Sequence, residues 1–246
     1  NEYLKNKQLT NNFYIYTFLK EQQIENAKQS GAFYTPQCIV YDALKDINTQ
    51  KNVVHILEPA VGLGAFLPQL SGLFSESSKV YIDAVEISKE TIQTLKSALK
   101  KIELGSNIHI NFICADLLTW EPSRHYDLVA MNPPYATTTT KYENIVKKEH
   151  KTKNLFALFL IQLYNLADDI ARVIPKNFLM ADEFASVRRL YEKYSIVSIC
   201  DFGVKFFKKV FVEIITIHFT KNHTPILVVK DYVNDITYNH KQGYIF

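Results

Sequence analysis

"VVHILEPAVGLGAF", residues 53–66, is the stretch that decides the fold. A short run rich in β-branched residues reaches Glu58 and breaks at Pro59, the pattern of a buried strand. Gly62 and Gly64 follow, where the backbone must turn tightly and can approach a ligand closely. "GAFLPQLSGLF" then has the apolar content of a helix, with Pro68 tolerated in its first turn. Strand, glycine turn and helix in that order are the opening unit of a parallel α/β sheet.

Outward from this unit the alternation continues. "VYIDAVEIS", "IHINFICAD" and "YDLVAMN" predict strands ending near Glu86, Asp116 and Asn132. "IARVIP" and "SIVSICDF" predict a fifth and a sixth strand. "VFVEIITIHF" and "PILVVKDYV" read as a β-hairpin or two neighbouring strands. Helices are expected at "QCIVYDALKDI", started by Pro36, at "KETIQTLKSALKKIEL", at "NLFALFLIQLYNLADD" and at "DEFASVRRLYEKY". The fold class expected is a doubly wound, mainly parallel, seven-stranded α/β sheet with helices on both faces, plus a C-terminal antiparallel strand pair. Residues 1–30 read as an N-terminal helical extension, 31–220 as the main domain and 221–246 as a C-terminal extension.

Composition agrees with a globular chain. Of 246 residues, 47% are apolar and 22% charged, so disorder is not expected over most of the length. The net charge of +3 is too small to argue for a nucleic-acid partner by itself. Cys38, Cys114 and Cys200 are isolated, which fits a reducing cytoplasm. No apolar run approaches a membrane span. His55 and His150 stand outside any cluster, and no metal site is expected. The chain opens on Asn1 and closes on "YNHKQGYIF", and so reads as a piece of a longer protein.

In doubly wound sheets, ligands bind beyond the carboxyl ends of the strands. Glu58, Glu86 and Asp116 lie 28 and 30 residues apart, one strand–helix unit each, and so fall on one rim. An acid ending the second strand is placed to accept hydrogen bonds from ribose hydroxyls. Singly, each acid reads equally as a solvated strand end. There is no G-x-x-x-x-G-K-[ST] phosphate loop and no full G-x-G-x-x-G fingerprint. A nucleoside without a phosphate chain suits the rim better, and S-adenosylmethionine is such a ligand.

"MNPPY", residues 131–135, ends the fourth strand. Pro133 and Pro134 have fixed φ and no N–H, and Pro133 keeps Asn132 out of helical geometry. The stiff bend offers carbonyl oxygens, the Asn132 amide oxygen and the flat ring of Tyr135. Acceptors beside a flat face suit the exocyclic amine of a planar ring. Hydrogen bonds to both N–H groups favour a pyramidal nitrogen and free its lone pair for attack.

These motifs in this order resemble the γ-class N6-adenine DNA methyltransferases of bacterial restriction–modification systems, over residues 30–220. The resemblance implies S-adenosylmethionine as cofactor, S-adenosylhomocysteine as its product and double-stranded DNA as partner. "GAFYTP" (Phe33, Tyr34, Thr35, Pro36) would close over the methionine part of the cofactor. Glu58, Pro59, Ala60, Gly62, Gly64 and Phe66 would form the glycine-rich cofactor motif. Glu86 with Ile87 would hold the ribose, and Asp116 with Leu117 the cofactor's adenine. Asn132 would also touch the cofactor. Asn132, Pro133, Pro134 and Tyr135 would be catalytic. The target adenine would leave the stack, with Tyr135 on one face and Phe207, chosen by motif register over Phe206 and Phe211, on the other. Lys141, Lys147, Lys148, Lys208 and Lys209 suit phosphate contact or a solvated surface.

Two features depart from the family pattern. Val61 and Leu63 stand where small or polar residues are usual. Little chain remains after the last motif for a target-recognition domain. Recognition is therefore expected from a missing domain or a specificity subunit, and any restriction endonuclease lies outside this chain. Protein glutamine-N5 and RNA adenine methylation are the enzymatic alternatives. A non-catalytic DNA-binding subunit is the alternative from another class.

Overall fold

The computed structural model describes residues 35–100, 104–138, 142, 152–204 and 212–241. Nine strands form one sheet among the described residues, in the order β3-β2-β1-β4-β5-β7-β6-β8-β9. They are β1 Val53–Glu58, β2 Lys79–Glu86, β3 Ile108–Cys114, β4 Tyr126–Met131, β5 Ala167–Pro175, β6 Ser195–Gly203, β7 Ile214–Thr220, β8 Ile226–Asp231 and β9 Ile236–Lys241. β7 and β9 run against the other strands. The first seven strands make a contiguous block, and β8 and β9 extend its edge. The order reverses beside β1, where β2 pairs on one side and β4 on the other, so the switch point falls at the end of β1.

Helices α1 (Gln37–Leu44), α2 (Leu67–Leu73) and α3 (Lys89–Leu99) cover one face. Ile39, Leu44, Leu67, Leu70 and Leu95 pack there with Ile56, Ile82, Leu128 and Val173. Helices α4 (Leu155–Leu163) and α5 (Ala185–Leu190) cover the other. Phe156, Leu160, Leu163 and Val187 meet Leu57, Val129, Met131, Ile170 and Ile215 there. Alternate residues of β4 divide between the faces, Leu128 and Ala130 against Val129 and Met131, as a strand buried on both sides requires. α4 is apolar almost all round and is correspondingly buried.

Three local readings change. The runs "VFVEIITIHF" and "PILVVKDYV" are neither a hairpin nor neighbours. β7 is buried at all seven positions, so it needs cover on both faces and lies between β5 and β6. β8 takes the other side of β6 in parallel and turns into β9. β9, "ITYNHK", is exposed throughout and shows no burial pattern from which to read it. "DEFASVRRLYEKY" is not one helix: α5 is flanked by single 3₁₀ turns at Asp182–Phe184 and Tyr191–Lys193. Tyr191 is drawn into the core, its hydroxyl donating to the Leu160 carbonyl at 2.8 Å, which ends the regular helix. β5 begins at Ala167, before the apolar run, because Asp168 and Asp169 find partners in His125 and His218 at 2.9 and 3.0 Å.

No helix among the described residues is long and apolar enough to cross a membrane. Residues 1–30, Phe33, Tyr34, Phe207, Lys141, Lys147, Lys148, Lys208 and Lys209 lie outside the described residues.

Candidate active site

The carboxyl ends of β1, β2, β3 and β4 bring Glu58, Glu86, Asp116 and Asn132 to one edge of the sheet, beside the switch point. The turn after β1 is the centre of this edge. The Val61 N–H donates to the Val85 carbonyl at 2.9 Å and the Gly64 N–H to the Val61 carbonyl at 2.7 Å, so the turn is pinned to β2.

Its two glycines do different work. Gly62 has φ +51°, and among the described residues a Cβ there would meet nothing closer than the Ala60 carbonyl at 3.9 Å. Among the described residues, the space above it is open. Gly64 has φ +77°, but a Cβ there would lie 2.7 Å from Leu95 Cδ1 and 3.1 Å from Leu67 Cδ1. Gly64 is therefore required by the packing of α2 and α3 as well as by the turn. The backbone N–H of Gly62 donates to Glu86 Oε2 at 3.1 Å, and that of Ser88 to Glu86 Oε1 at 3.0 Å. Both oxygens of Glu86 are thus oriented by the backbone.

Glu58 is only 2% exposed. The Phe66 N–H donates to its carboxyl group, while Oε2 has no partner among the described residues. Burial pushes the carboxyl well above the usual carboxylate range. A buried carboxyl oxygen without a partner among the described residues, at a strand end, makes Glu58 a candidate binding group. Phe66 offers this N–H, while its ring is in the core. Leu117 is also a core side chain, whereas Ile87 is 60% exposed beside Glu86. Asp116 Oδ1 accepts from the Leu118 N–H at 3.2 Å, and Oδ2 accepts from the Tyr142 hydroxyl at 2.7 Å.

Asn132 closes the row. Its amide nitrogen donates to Thr35 Oγ1 at 2.8 Å, and its amide oxygen accepts from the Tyr135 hydroxyl at 2.6 Å. The same hydroxyl lies 3.2 Å from the Val173 carbonyl, and burial pushes its pKa up, so it stays protonated. The Tyr135 ring meets Phe156 edge-on at 6.4 Å. Pro133 is buried and Pro134 exposed. Thr35, 2% exposed, follows directly into Pro36 and α1, whose Gln37 side chain donates to the Ala65 carbonyl at 3.1 Å. Thr35 is therefore tied to the Asn132 bend, and the first residue of α1 to the end of the glycine turn.

The structure thus gathers Thr35, Pro36, Glu58, Gly62, Glu86, Asp116, Asn132 and Tyr135 along one edge. Sequence reasoning did not find Tyr142, an aromatic set in the polar stretch "TTTTKYENIVKKEH"; its isolation there was the available signal. Among the described residues, no three His, Cys, Asp or Glu side chains converge as metal ligands.

Comparison with known proteins bears on this arrangement. A family model described as N-6 DNA Methylase matches residues 6–243. Type II methyltransferase M.AccI of Acinetobacter calcoaceticus is 27% identical over 71% of this chain and 33% of its own length. Type II methyltransferase M.CvrRI of Paramecium bursaria Chlorella virus XZ-6E is 27% identical over 66% of this chain and 40% of its own. The chain thus spans well under half of these curated relatives. A modification subunit of a putative type I restriction enzyme from Vibrio vulnificus YJ016 has a TM-score of 0.68 at 18% identity, covering 87% of this chain and 50% of that one. A putative class I S-adenosylmethionine-dependent methyltransferase from Listeria monocytogenes has a TM-score of 0.68 at 16% identity, over 88% of this chain and 73% of that one. The structural likenesses place the sheet in the methyltransferase fold, and the model matched along nearly the whole chain means that it belongs to the N-6 DNA Methylase family.

Proposed function

We propose that this chain transfers a methyl group from S-adenosylmethionine to the exocyclic N6 amine of an adenine in DNA. The observation that carries the reading is Asn132: a carboxamide held at both ends, on the rim shared by Glu58, Gly62, Glu86 and Asp116.

These residues fit the cofactor. A cationic amino group beside Glu58 would favour the ionised form of its buried carboxyl, the oriented carboxylate of Glu86 suits ribose hydroxyls, and Asp116 suits an adenine amine. The open space above Gly62 admits a ligand against the backbone. When bound, S-adenosylmethionine supplies a sulfonium methyl group that needs no strong base to accept a nucleophile. The chain's own task is to hold the target amine. The Asn132 amide oxygen and the carbonyls of the Pro133–Pro134 bend accept its N–H groups and leave its lone pair for attack. Base extrusion costs roughly a few kcal/mol, which stacking on Tyr135, and on Phe207 from the opposite side, offsets. Recognition of the DNA sequence falls to a further domain or a specificity subunit, in keeping with relatives much longer than this chain.

Labelled cofactor offered with DNA, RNA and protein acceptors tests the proposal. Label in DNA that digestion returns as N6-methyladenine supports it; label in RNA or in protein glutamine replaces it with one of those activities. Asn132→Ala should lower transfer by about 10²-fold or more, the loss typical of removing one transition-state hydrogen bond, with cofactor affinity retained. Near-full activity in that variant sinks the catalytic assignment.

A further inference from the structure

A carboxamide looks nearly the same when turned by 180°, but its chemistry reverses. With its oxygen presented, Asn132 can accept from a target amine; with its nitrogen presented, it opposes that amine with a second donor. The orientation of one side chain therefore separates a competent site from an incompetent one.

Thr35 cannot choose between the two. A threonine hydroxyl donates or accepts, and so satisfies either end of the carboxamide. Tyr135 can choose, because a phenol has a single proton and two acceptors lie in reach: Asn132 Oδ1 at 2.6 Å and the Val173 carbonyl at 3.2 Å. If the proton went to Val173, the phenol oxygen would accept from the amide nitrogen, Thr35 would donate to the amide oxygen, and Asn132 would be reversed. Each arrangement is internally consistent. The 2.8 Å contact to Thr35 fits both, and the two Tyr135 distances favour the first. A separation of 2.6 Å belongs to O–H···O, which clusters near 2.7–2.8 Å, rather than to N–H···O, which clusters near 2.9–3.0 Å; the carbonyl at 3.2 Å lies beyond the usual range for a hydroxyl donor.

We infer that the Tyr135 hydroxyl, acting with Thr35, is a positioning group that fixes the Asn132 carboxamide in the orientation able to accept a target amine. This rests on the function proposed above for Asn132 and gives Tyr135 a role distinct from base stacking. Burial of the hydroxyl keeps its proton available for donation. The phenol occupies one of the two lone pairs of the Asn132 amide oxygen, which leaves the other for the substrate. Donation from the amide nitrogen to Thr35 polarises the carboxamide and strengthens that oxygen as an acceptor.

The test uses the full chain, labelled cofactor and DNA free of N6-methyladenine, with Tyr135→Phe, Thr35→Val and Thr35→Ser beside wild type. Tyr135→Phe keeps the ring, so stacking survives. Its kcat should fall roughly tenfold, the factor for one hydrogen bond of ordinary strength, with the KM for DNA within about twofold of wild type. Thr35→Val should lose kcat similarly, and Thr35→Ser should restore most of it. Wild-type kcat in Tyr135→Phe, or an effect confined to KM, overturns the inference. The side-chain ¹⁵NH₂ resonances of Asn132, assigned by their loss in Asn132→Ala, give a readout independent of turnover. They should shift and broaden in both Tyr135→Phe and Thr35→Val; resonances unchanged from wild type overturn the inference even in a protein that methylates nothing. If wild type labels RNA or protein glutamine and not DNA while these resonances respond as expected, the adenine reading falls and the positioning contact stands.

Discussion

The backbone N–H of Gly62 lies 3.1 Å from Glu86 Oε2, which joins the turn after β1 to the end of β2. With the Ser88 N–H on the other oxygen, it makes one carboxylate both a strut of the turn and an oriented acceptor at the rim. Under the proposed function, local stability and cofactor affinity are coupled through Glu86.

Glu86→Ala should show both effects. Two backbone donors lose their acceptor, which should destabilise the fold by about 1–3 kcal/mol, seen as a lower denaturation midpoint. Binding of S-adenosylmethionine by calorimetry should weaken by about tenfold or more, the factor for the loss of one charged hydrogen bond. Unchanged affinity would mean that the ribose is held elsewhere.

The two glycines of the turn should separate. Gly64→Ala combines a left-handed φ with a clash against the buried Leu95, and should cost about 2–4 kcal/mol in urea denaturation. Gly62→Ala carries the backbone cost alone, about 1–2 kcal/mol, but places a methyl group in the open space above the turn. It should lose cofactor binding out of proportion to its stability. Equal damage to stability at the two sites would contradict this division.

Glu58 sets a pH dependence. In the unfolded chain it ionises near its ordinary 4.5; in the folded protein burial holds its proton to higher pH. Between those two values the folded state carries more protons than the unfolded state, so raising the pH lowers stability. Glu58→Gln keeps the shape without the charge. Its stability relative to wild type should therefore grow as the pH rises above about 4.5 and then level off. Denaturation midpoints measured across that range check the slope; a constant difference between the two proteins would place the titration elsewhere.

Tyr142 links the polar stretch after the Asn132 bend to Asp116 through a 2.7 Å hydrogen bond. Tyr142→Phe removes the hydroxyl and leaves the ring in the core. Asp116 should then be held less firmly, with cofactor affinity lower by about 3–10-fold, the factor for a modest hydrogen bond, and little change in the KM for DNA. Calorimetry and steady-state kinetics distinguish this from a purely structural contact, which would lower the melting temperature and leave affinity alone.

Much of the fold was legible along the chain because the signals are local. Each of the first four apolar runs stops at a polar residue, and in a parallel sheet those stops share one edge, so the sequence alone puts Glu58, Glu86, Asp116 and Asn132 together. The glycine spacing after β1 was equally readable, since a left-handed turn depends on the residues that make it. Pairing partners were less accessible. β7 and β8 are adjacent in sequence, yet β7 enters the middle of the sheet and β8 goes to its far side, a choice made by which strand must be covered on both faces.

What the sequence by itself determined was the order of strands and helices, the bends and the polar groups at each strand end, all properties of short segments. Tertiary structure alone decided which of those groups touch. Thr35 and Asn132 are 97 residues apart and meet because α1 packs against the sheet beside β5 and β7. The Tyr135 hydroxyl turns inward to Asn132 and Val173, and Gly64 serves packing where Gly62 faces open space. Hydrogen bonds and close contacts act over a few ångströms of space, and the distance between side chains far apart along the chain exists only once the sheet and its covering helices have assembled.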